Sequence, residues 1–329
     1  MRNLLIWLVF ALALVALPHA LSFSQQEILV FLVINVLLVS SYRLMTLTGE
    51  WSLAHVVIMG VGAYTSALMT KRLGVYVPLA MITGALMAGL VAFLLSFPLF
   101  RMKGFYFLIG SFASSEIIRL LWKRFREPFG GPKGLKRIDP LPDIDLGFFH
   151  VNFFEPVHYF YFALIVVAIC LWVLWRIERS LIGLTFHAVH WQDKMAQAAG
   201  VDVRGYRTLA FVLASGFAGF AGALLAHYVG TINPNSFDVE VMVFVLTWAI
   251  VGGTATFYGP ILGCIVLTII NEIVLREMGF EQMRPLIYGA IMILSILFMP
   301  NGLESLVQRG LARIRGGRAA AATAGEAQR

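Results

Sequence analysis

Charged side chains are scarce in this chain of 329 residues. They make up 13% of the sequence, against 59% for the hydrophobic set, and the mean hydropathy is +0.82. Soluble domains average about 25% charged residues, so a water-soluble fold would lack the polar surface to cover such a core. In a lipid bilayer only helices or closed barrels satisfy every backbone polar group. The long unbroken apolar runs exclude a barrel, which alternates over about ten residues per strand.

Cysteine and enzyme motifs are also lacking. Cys170 and Cys264 both lie within apolar runs, which excludes a disulfide framework and a CxxC metal site. The sequence has no GxxxxGKS/T phosphate loop, no HExxH, no GxSxG and no cluster of Cys and His. We therefore expect no enzyme activity, no bound cofactor and no metal in this chain. With enzyme motifs absent, the sequence favours a transport role.

Apolar stretches long enough to cross a bilayer recur along the chain. A crossing helix needs about 20 apolar residues, and the sequence predicts an all-α, polytopic transmembrane bundle of about eight to ten spans. The candidate spans are about 4–23, 27–47, 51–70, 75–97, 104–122, 157–176, 208–229, 239–257, 259–276 and 285–302. Gly252-Gly253 and Gly259-Pro260 interrupt the eighth and ninth of these. A single crossing with a re-entrant piece is therefore the alternative there.

The N-terminus allows two interpretations. Arg2 followed by the apolar residues 4–17 resembles a signal peptide, which would be cleaved. The apolar run continues to Phe23, however, and a second span follows almost at once. We therefore predict an uncleaved first helix, with cleavage as the alternative.

The Lys and Arg distribution predicts a cytoplasmic N-terminus. Residues 1–308 are predicted to form one transmembrane permease domain, and 309–329 a basic, disordered cytoplasmic tail. Two loops are long: 123–156, which is turn-rich and faces outward, and 177–207, which faces the cytoplasm. Within the loop 177–207, residues 183–200 are predicted to form one short interfacial helix.

Glycines and a few ionisable groups stand out within the spans. Gly216, Gly219 and Gly222 recur at every third position, which is typical of helices that pack closely. Glu116 and Arg119 are three residues apart on one face of the fifth span. They are either a functional intramembrane pair or an interface pair in which Arg119 snorkels. His55 is either a proton-handling group or a hydrogen-bonded structural histidine.

Several segments, in this order, resemble the branched-chain amino acid ABC permease family over about residues 40–300. The segments are LTGEWSLAH (47–55), MGVGAYT (59–65), RMKGFYF (101–107), EIIR (116–119), GGPKGL (130–135), AQAAGVD (196–202), YRTLAF (206–211), GFAGAL (219–224) and VGGTATFYGPILG (251–263). Many relatives have Gln-Leu where this chain has Glu50-Trp51, and many have an acidic residue in place of Gln197. The chain resembles the subunit type with the long outer loop.

The resemblance implies an importer of five parts: two homologous permeases, two ATPases and a periplasmic binding protein. ATP would then act through the partner ATPases, and the chain would lie in a bacterial inner membrane. The elements it implies for ATPase coupling are Gln192, Asp193, Gln197, Ala198, Ala199 and Gly200. The candidates for the translocation pathway are His55, Gly60, Gly62, Tyr64, Glu116 and Arg119.

The resemblance leaves the solute open, because relatives with this pattern also import urea, amides or other small organic solutes. A rival from another class is an ion-coupled secondary transporter or channel that uses Glu116 or His55. That rival predicts transport driven by an ion gradient without any ATPase.

Overall fold

The computed structural model describes residues 17–102, 104–145, 150–275, 283–299 and 302–305. Helices make up most of this part of the chain. They are α1 (Phe23–Thr46), α2 (His55–Leu73), α3 (Val77–Leu99), α4 (Phe105–Arg124), α5 (Pro156–Glu178), α6 (Leu181–Trp191), α7 (Asp193–Ala198), α8 (Val203–Val229), α9 (Val239–Gly252), α10 (Gly259–Ile269) and α11 (Arg284–Phe298). A π-helical segment, Ile270–Leu275, continues α10.

The described helices confirm the predicted fold class. Six segments are long and apolar enough to cross a membrane: Phe23–Thr46, Val77–Leu99, Phe105–Arg124, Pro156–Glu178, Val203–Val229 and Pro234–Gly252. Helix α2 has 19 residues and coincides with the predicted span 51–70. Two shorter apolar helices, Gly259–Glu272 and Arg284–Phe298, fall at the last two predicted spans. The predicted first span, 4–23, and the predicted tail, 309–329, lie largely or wholly outside the described residues.

Helices α2, α3 and α8 pack with their backbones almost in contact. A Cβ on Gly62 of α2 would overlap the carbonyl oxygen of Gly219 on α8. One turn further along α8, a Cβ on Gly222 would overlap the carbonyl oxygen of Met59. Gly84 of α3 faces α2 in the same way. Small residues at these positions let the helices approach as membrane helices do, which is the close packing that the glycine spacing predicts.

A short sheet ties the loop after α4 to the end of α8. Strand β1 (Leu135–Lys136) pairs antiparallel with β4 (Thr231–Ile232), and β2 (Ile144–Asp145) pairs with β3 (His150–Val151). Nearby, Nδ1 of His227 lies 2.6 Å from the carbonyl oxygen of Asp139, and its Nε2 lies 2.8 Å from the hydroxyl of Ser66. A carbonyl only accepts, so Nδ1 donates and Nε2 accepts in the neutral ring. The long loop is thereby held against α2 and α8.

The described chain divides into two compact units, Met1–Met242 and Val243–Arg329. In the second unit, α9 ends at Gly252 and α10 begins at Gly259, and a Cβ on Gly252 would overlap the carbonyl oxygen of Gly259. The carboxylate of Glu304 accepts hydrogen bonds from the backbone N–H groups of Ala255 (3.0 Å) and Thr256 (2.9 Å). Here the interrupted apolar stretch forms two helices joined by a turn that Glu304 holds.

The contact of Gly62 with Gly219 predicts a steep cost for one added methyl group. Gly62→Ala must push α2 away from α8, and overpacking of this kind costs about 1–3 kcal/mol. Gly216→Ala is the matched control, since its Cβ would lie 3.7 Å from the carbonyl oxygen of Ala85, an ordinary contact. Thermal unfolding of the detergent-purified chain should show a lower Tm for Gly62→Ala than for the control. Equal values would contradict the close packing of α2 on α8.

Candidate functional site

The segment between α5 and α8 contains two short helices. Helix α6 begins after Ser180, whose side-chain oxygen accepts a hydrogen bond from the backbone N–H of Ile182 at 3.2 Å. Gln192 has extended backbone angles (φ −155°, ψ 90°), and α7 starts at Asp193, an acidic residue of the kind favoured in a first turn. The predicted single helix over 183–200 is therefore wrong, because the extended Gln192 divides it.

One face of this segment is buried and the other is exposed. Val189 of α6 and Ala196 of α7 form a small core with Val203 at the start of α8. The large apolar side chains exposed on the segment include Leu181, Leu184, Trp191 and Met195. Trp191 is 79% accessible. Clustered exposed apolar side chains mark a surface that contacts a protein or a membrane.

The candidate coupling residues lie together on this segment. Gln192, Gln197, Ala198, Ala199 and Gly200 are all exposed. Gly200 has a φ of +86°, in the left-handed region that glycine adopts without strain, and it ends α7. Asp193 is partly buried, and both of its carboxylate oxygens lie 3.0 Å from Nη2 of Arg207 on α8. Their assignment to ATPase coupling stays a prediction.

The turn between α1 and α2 contacts the same segment. Gly49 has a φ of +81°, and a Cβ there would lie 3.3 Å from Nδ1 of His190 on α6. That nitrogen is also 3.2 Å from the carbonyl oxygen of Thr46. Glu50 is buried, and its Oε1 lies 3.3 Å from Nη2 of Arg207. Three separate parts of the sequence therefore meet at this end of the bundle.

A buried ion pair joins α1 to α5 next to this turn. Arg43 is 1% exposed, and its Nη2 and Nε donate to Glu178 at 2.6 and 3.1 Å. Two parallel bonds of this kind give a planar, strongly directional pair. The ends of α1 and α5 are fixed to each other by it, and α6 follows directly after Glu178.

His55, a pathway candidate, lies at the first residue of α2 and is fully buried. Its Nε2 is 3.0 Å from the hydroxyl oxygen of Ser41, and that hydroxyl is 2.7 Å from the carbonyl oxygen of Leu38. A hydroxyl has one proton, and the carbonyl can only accept it, so Nε2 of His55 is the donor to Ser41. This arrangement is that of a hydrogen-bonded histidine that joins α1 to α2.

Two further pathway candidates belong to an aromatic cluster. The ring of Tyr64 stacks on Trp122 with centroids 4.6 Å apart, and Phe237 lies edge-on to Trp122 at 6.1 Å. Gly60, one turn before Tyr64, leaves the space for these rings, since a Cβ would come within 2.7 Å of Trp122 and 2.8 Å of Phe237. The cluster fills the space between α2, α4 and the segment before α9.

The remaining pathway candidates lie apart from this cluster. Gly62 faces Gly219 of α8. Glu116 and Arg119 pair with each other on α4, with Nη2 to Oε1 at 2.6 Å and Nε to Oε2 at 2.9 Å. Within the described residues, no hydrogen bond or ring contact joins this pair to His55. The structure therefore places the six candidates at several separate positions along the bundle rather than in one constellation.

Four residues at this end of the bundle were not among the predicted site residues: Arg43, Glu178, His190 and Arg207. Their partners lie far along the chain, 135 residues apart for Arg43 and Glu178. The sequence feature that could have pointed to these residues is their position, because each is an ionisable residue near the edge of an apolar stretch. Spacing alone does not say which of these residues pair.

The opposite end of the bundle carries a basic surface. The cationic side chains around one groove there are Lys71, Arg72, Arg126, Lys133 and Lys136. The ammonium of Lys71 donates to the carbonyl oxygen of Lys136 at 2.6 Å. Across the part of the chain that the structure describes, none of these five cations forms an ion pair with a carboxylate. We call this group the basic face.

Apolar spans, glycine contacts between helices and a part-exposed segment outside the spans define a polytopic α-helical membrane protein. The sequence profile of the family described as branched-chain amino acid transport system / permease component matches residues 24–296. The chain belongs to that family of multi-pass membrane transport proteins.

Curated relatives agree with the profile. The chain is similar to the high-affinity branched-chain amino acid transport system permease protein LivM of Escherichia coli (strain K12), with 29% identity over 88% of this chain and 72% of the relative. LivM of Salmonella typhimurium is 27% identical over 93% of this chain and 75% of its own length. LivH of Escherichia coli, a permease protein of the same named system, is 30% identical over 39% of this chain and 41% of its own. No solved structure gives a significant match.

The Arg43–Glu178 pair predicts a large loss of stability when its carboxylate is removed. Glu178→Ala leaves the guanidinium of Arg43 buried without this partner, which costs about 3 kcal/mol. Glu155→Ala is the control, because its carboxylate contacts His158 from a 62% exposed position. We expect the detergent-purified Glu178→Ala protein to unfold at a clearly lower temperature than Glu155→Ala. Similar unfolding temperatures would show that the Arg43–Glu178 pair adds little to the stability of the fold.

Proposed function

We propose that this chain is the permease subunit of an ATP-driven ABC importer for branched-chain amino acids in a bacterial inner membrane. The match of the family profile over residues 24–296 supports the class, and the LivM relatives support the solute. Similarity to both LivM and LivH supports a second, homologous permease as partner. Two ATPases and a periplasmic binding protein complete the assembly.

The proposed contact with the ATPase is based on the exposed face of α6 and α7. This face lies outside the apolar spans and presents Trp191 and Met195 beside the small residues Ala198 and Ala199. Small side chains let a partner surface approach, and the exposed apolar groups would be buried by it. This chain has no phosphate loop of its own. Nucleotide therefore acts through the partner, and α7 receives its motion.

The basic face is consistent with a soluble acidic partner on the other side of the membrane. Lys and Arg are normally enriched on the cytoplasmic side of membrane proteins. The cations of the basic face, at the outer end, are an exception that calls for a partner. Their field would attract an acidic surface and speed its association. We propose that the binding protein docks here and releases solute into the space between the permeases. Alternation between outward-open and inward-open states then moves the solute, because ATP binding favours one of them.

Uptake of labelled leucine by proteoliposomes that contain the complete complex tests the function. We expect uptake only with both ATP and the binding protein. The double variant Ala198→Glu/Ala199→Glu should lose uptake while both permeases still assemble, because its charges occupy the exposed face of α7. Ala199→Ser, which adds little volume, is the control. Uptake that ignores ATP and follows a proton or sodium gradient would contradict the proposal and favour the ion-coupled rival.

Leucine uptake that fails while another solute, such as urea or an amide, is taken up with ATP would revise the solute alone. The importer class would then stand.

The basic face predicts binding that depends on salt. Lys133→Glu should lower the association rate of the binding protein about tenfold at low ionic strength, and added salt should shrink the difference. Lys194→Glu makes the same charge change on α7 and should leave that rate unaltered. Surface-immobilised complex in nanodiscs provides the measurement. An equal effect of the two variants would place the docking site elsewhere.

A further inference from the structure

Arg207 contacts two carboxylates that belong to different segments. Its Nη2 lies 3.0 Å from both oxygens of Asp193 at the start of α7, and 3.3 Å from Oε1 of Glu50 in the α1–α2 turn. Arg207 itself lies near the start of α8. One guanidinium therefore joins the candidate coupling helix to the residues that lead into α2. We call Glu50, Asp193 and Arg207 the Arg207 cluster.

The cluster is largely withdrawn from water. The side chains of Arg207, Glu50 and Asp193 are 15%, 7% and 27% exposed. Attraction between opposite charges grows as the surroundings become less polar, and salt screens partly buried pairs much less than surface pairs. Separation of Arg207 from either carboxylate would leave a buried charge without that partner. The segments are therefore held together more firmly than by a surface ion pair.

The α1–α2 turn has a second contact with the same segment. His190 at the end of α6 lies against Gly49 and against the carbonyl oxygen of Thr46. The turn is thus held by α6 on one side and, through Arg207, by α7 on the other. Both helices are parts of the segment with the exposed apolar face.

The elements on either side of the turn differ in how they are anchored. The end of α1 is fixed to α5 through Arg43 and Glu178. Beyond the turn, α2 begins at His55 and leads to the aromatic cluster around Tyr64. A displacement of α7 that reached the turn would therefore meet a fixed end of α1 and act on residues 50–54, which lead into α2. The first residue of α2, His55, is hydrogen-bonded to Ser41 of α1, so the movement would enter α2 next to that bond.

We propose that Arg207 is a positioning residue that couples α7 to α2, so that movement of α7 is passed through Glu50 to the start of α2. This inference rests on the proposed function and extends it, because it names the route from the ATPase contact to the membrane spans. The contacts of Nη2 with the two carboxylates make the link to the turn electrostatic, beside the apolar contact of α7 with the start of α8 at Ala196 and Val203.

The test measures solute moved per ATP hydrolysed in proteoliposomes with the complete complex and binding protein. Arg207→Gln should lower this ratio about tenfold while ATP hydrolysis continues, because α7 then moves without α2. Arg207→Lys keeps the charge and should recover part of the ratio. Arg204→Gln is the matched control, since Arg204 lies on the same helix, is exposed and contacts the carbonyl oxygen of Phe97; its ratio should equal that of the wild type.

The carboxylates give an independent arm that preserves shape. Glu50→Gln and Asp193→Asn each keep a hydrogen-bonding side chain of the same size and should each lower the ratio. These two carboxamide variants test the coupling by themselves if the Arg207 variants fail to assemble. An unchanged ratio in both carboxamide variants, or in an assembled Arg207→Gln complex, overturns the inference. A wild-type complex without ATP-driven uptake overturns the proposed function itself, which is a separate result.

Discussion

The contact of α2 with α8 through Gly62, Gly219 and Gly222 is the constraint on which the first unit depends. Lipid tails are as apolar as leucine side chains, so burial of apolar surface alone does not hold membrane helices together. Close backbone approach provides dispersion contacts instead, and glycine makes that approach possible. Helix α3 joins the same contact through Gly84. The candidate segments at both ends of the bundle are attached to this framework of three helices.

Much of this framework follows from local features of the sequence. Apolar length predicts the spans, and their ends agree with the structure to within a few residues where it describes them, as in 157–176 against Pro156–Glu178. Glycine spacing predicts close packing of α8, which the structure shows at Gly219 and Gly222, whereas Gly216 makes an ordinary contact. The pairing of Glu116 with Arg119 also follows from spacing, because residues three apart share a helix face. The break at Gln192 does not follow, since 183–200 has a continuous helical pattern and only the backbone angles of one residue interrupt it.

The site was less predictable than the fold, because its contacts join segments that are distant in sequence. Glu50 and Arg207 illustrate this point. Glu50 is a departure from the Gln that many relatives carry, and the sequence offers no reason for it. In the structure Oε1 of Glu50 lies 3.3 Å from Nη2 of Arg207 and forms an ion pair with it. Attraction between opposite charges grows as the surroundings become less polar, so a carboxylate at this partly buried position strengthens the link between the turn and α8.

The two arginines at this end of the bundle have different surroundings, and the difference bears on the coupling proposed for Arg207. Arg43 is fully buried and makes two parallel bonds to the carboxylate of Glu178, an arrangement that tolerates little displacement. Arg207 is partly exposed and shares one nitrogen between two carboxylates on separate segments. A shared donor can favour one partner over the other as the segments move, at a smaller cost than breaking a parallel pair. A fixed pair beside a shared contact is the arrangement that the proposed coupling requires, because the turn would have to move while the end of α1 stays in place.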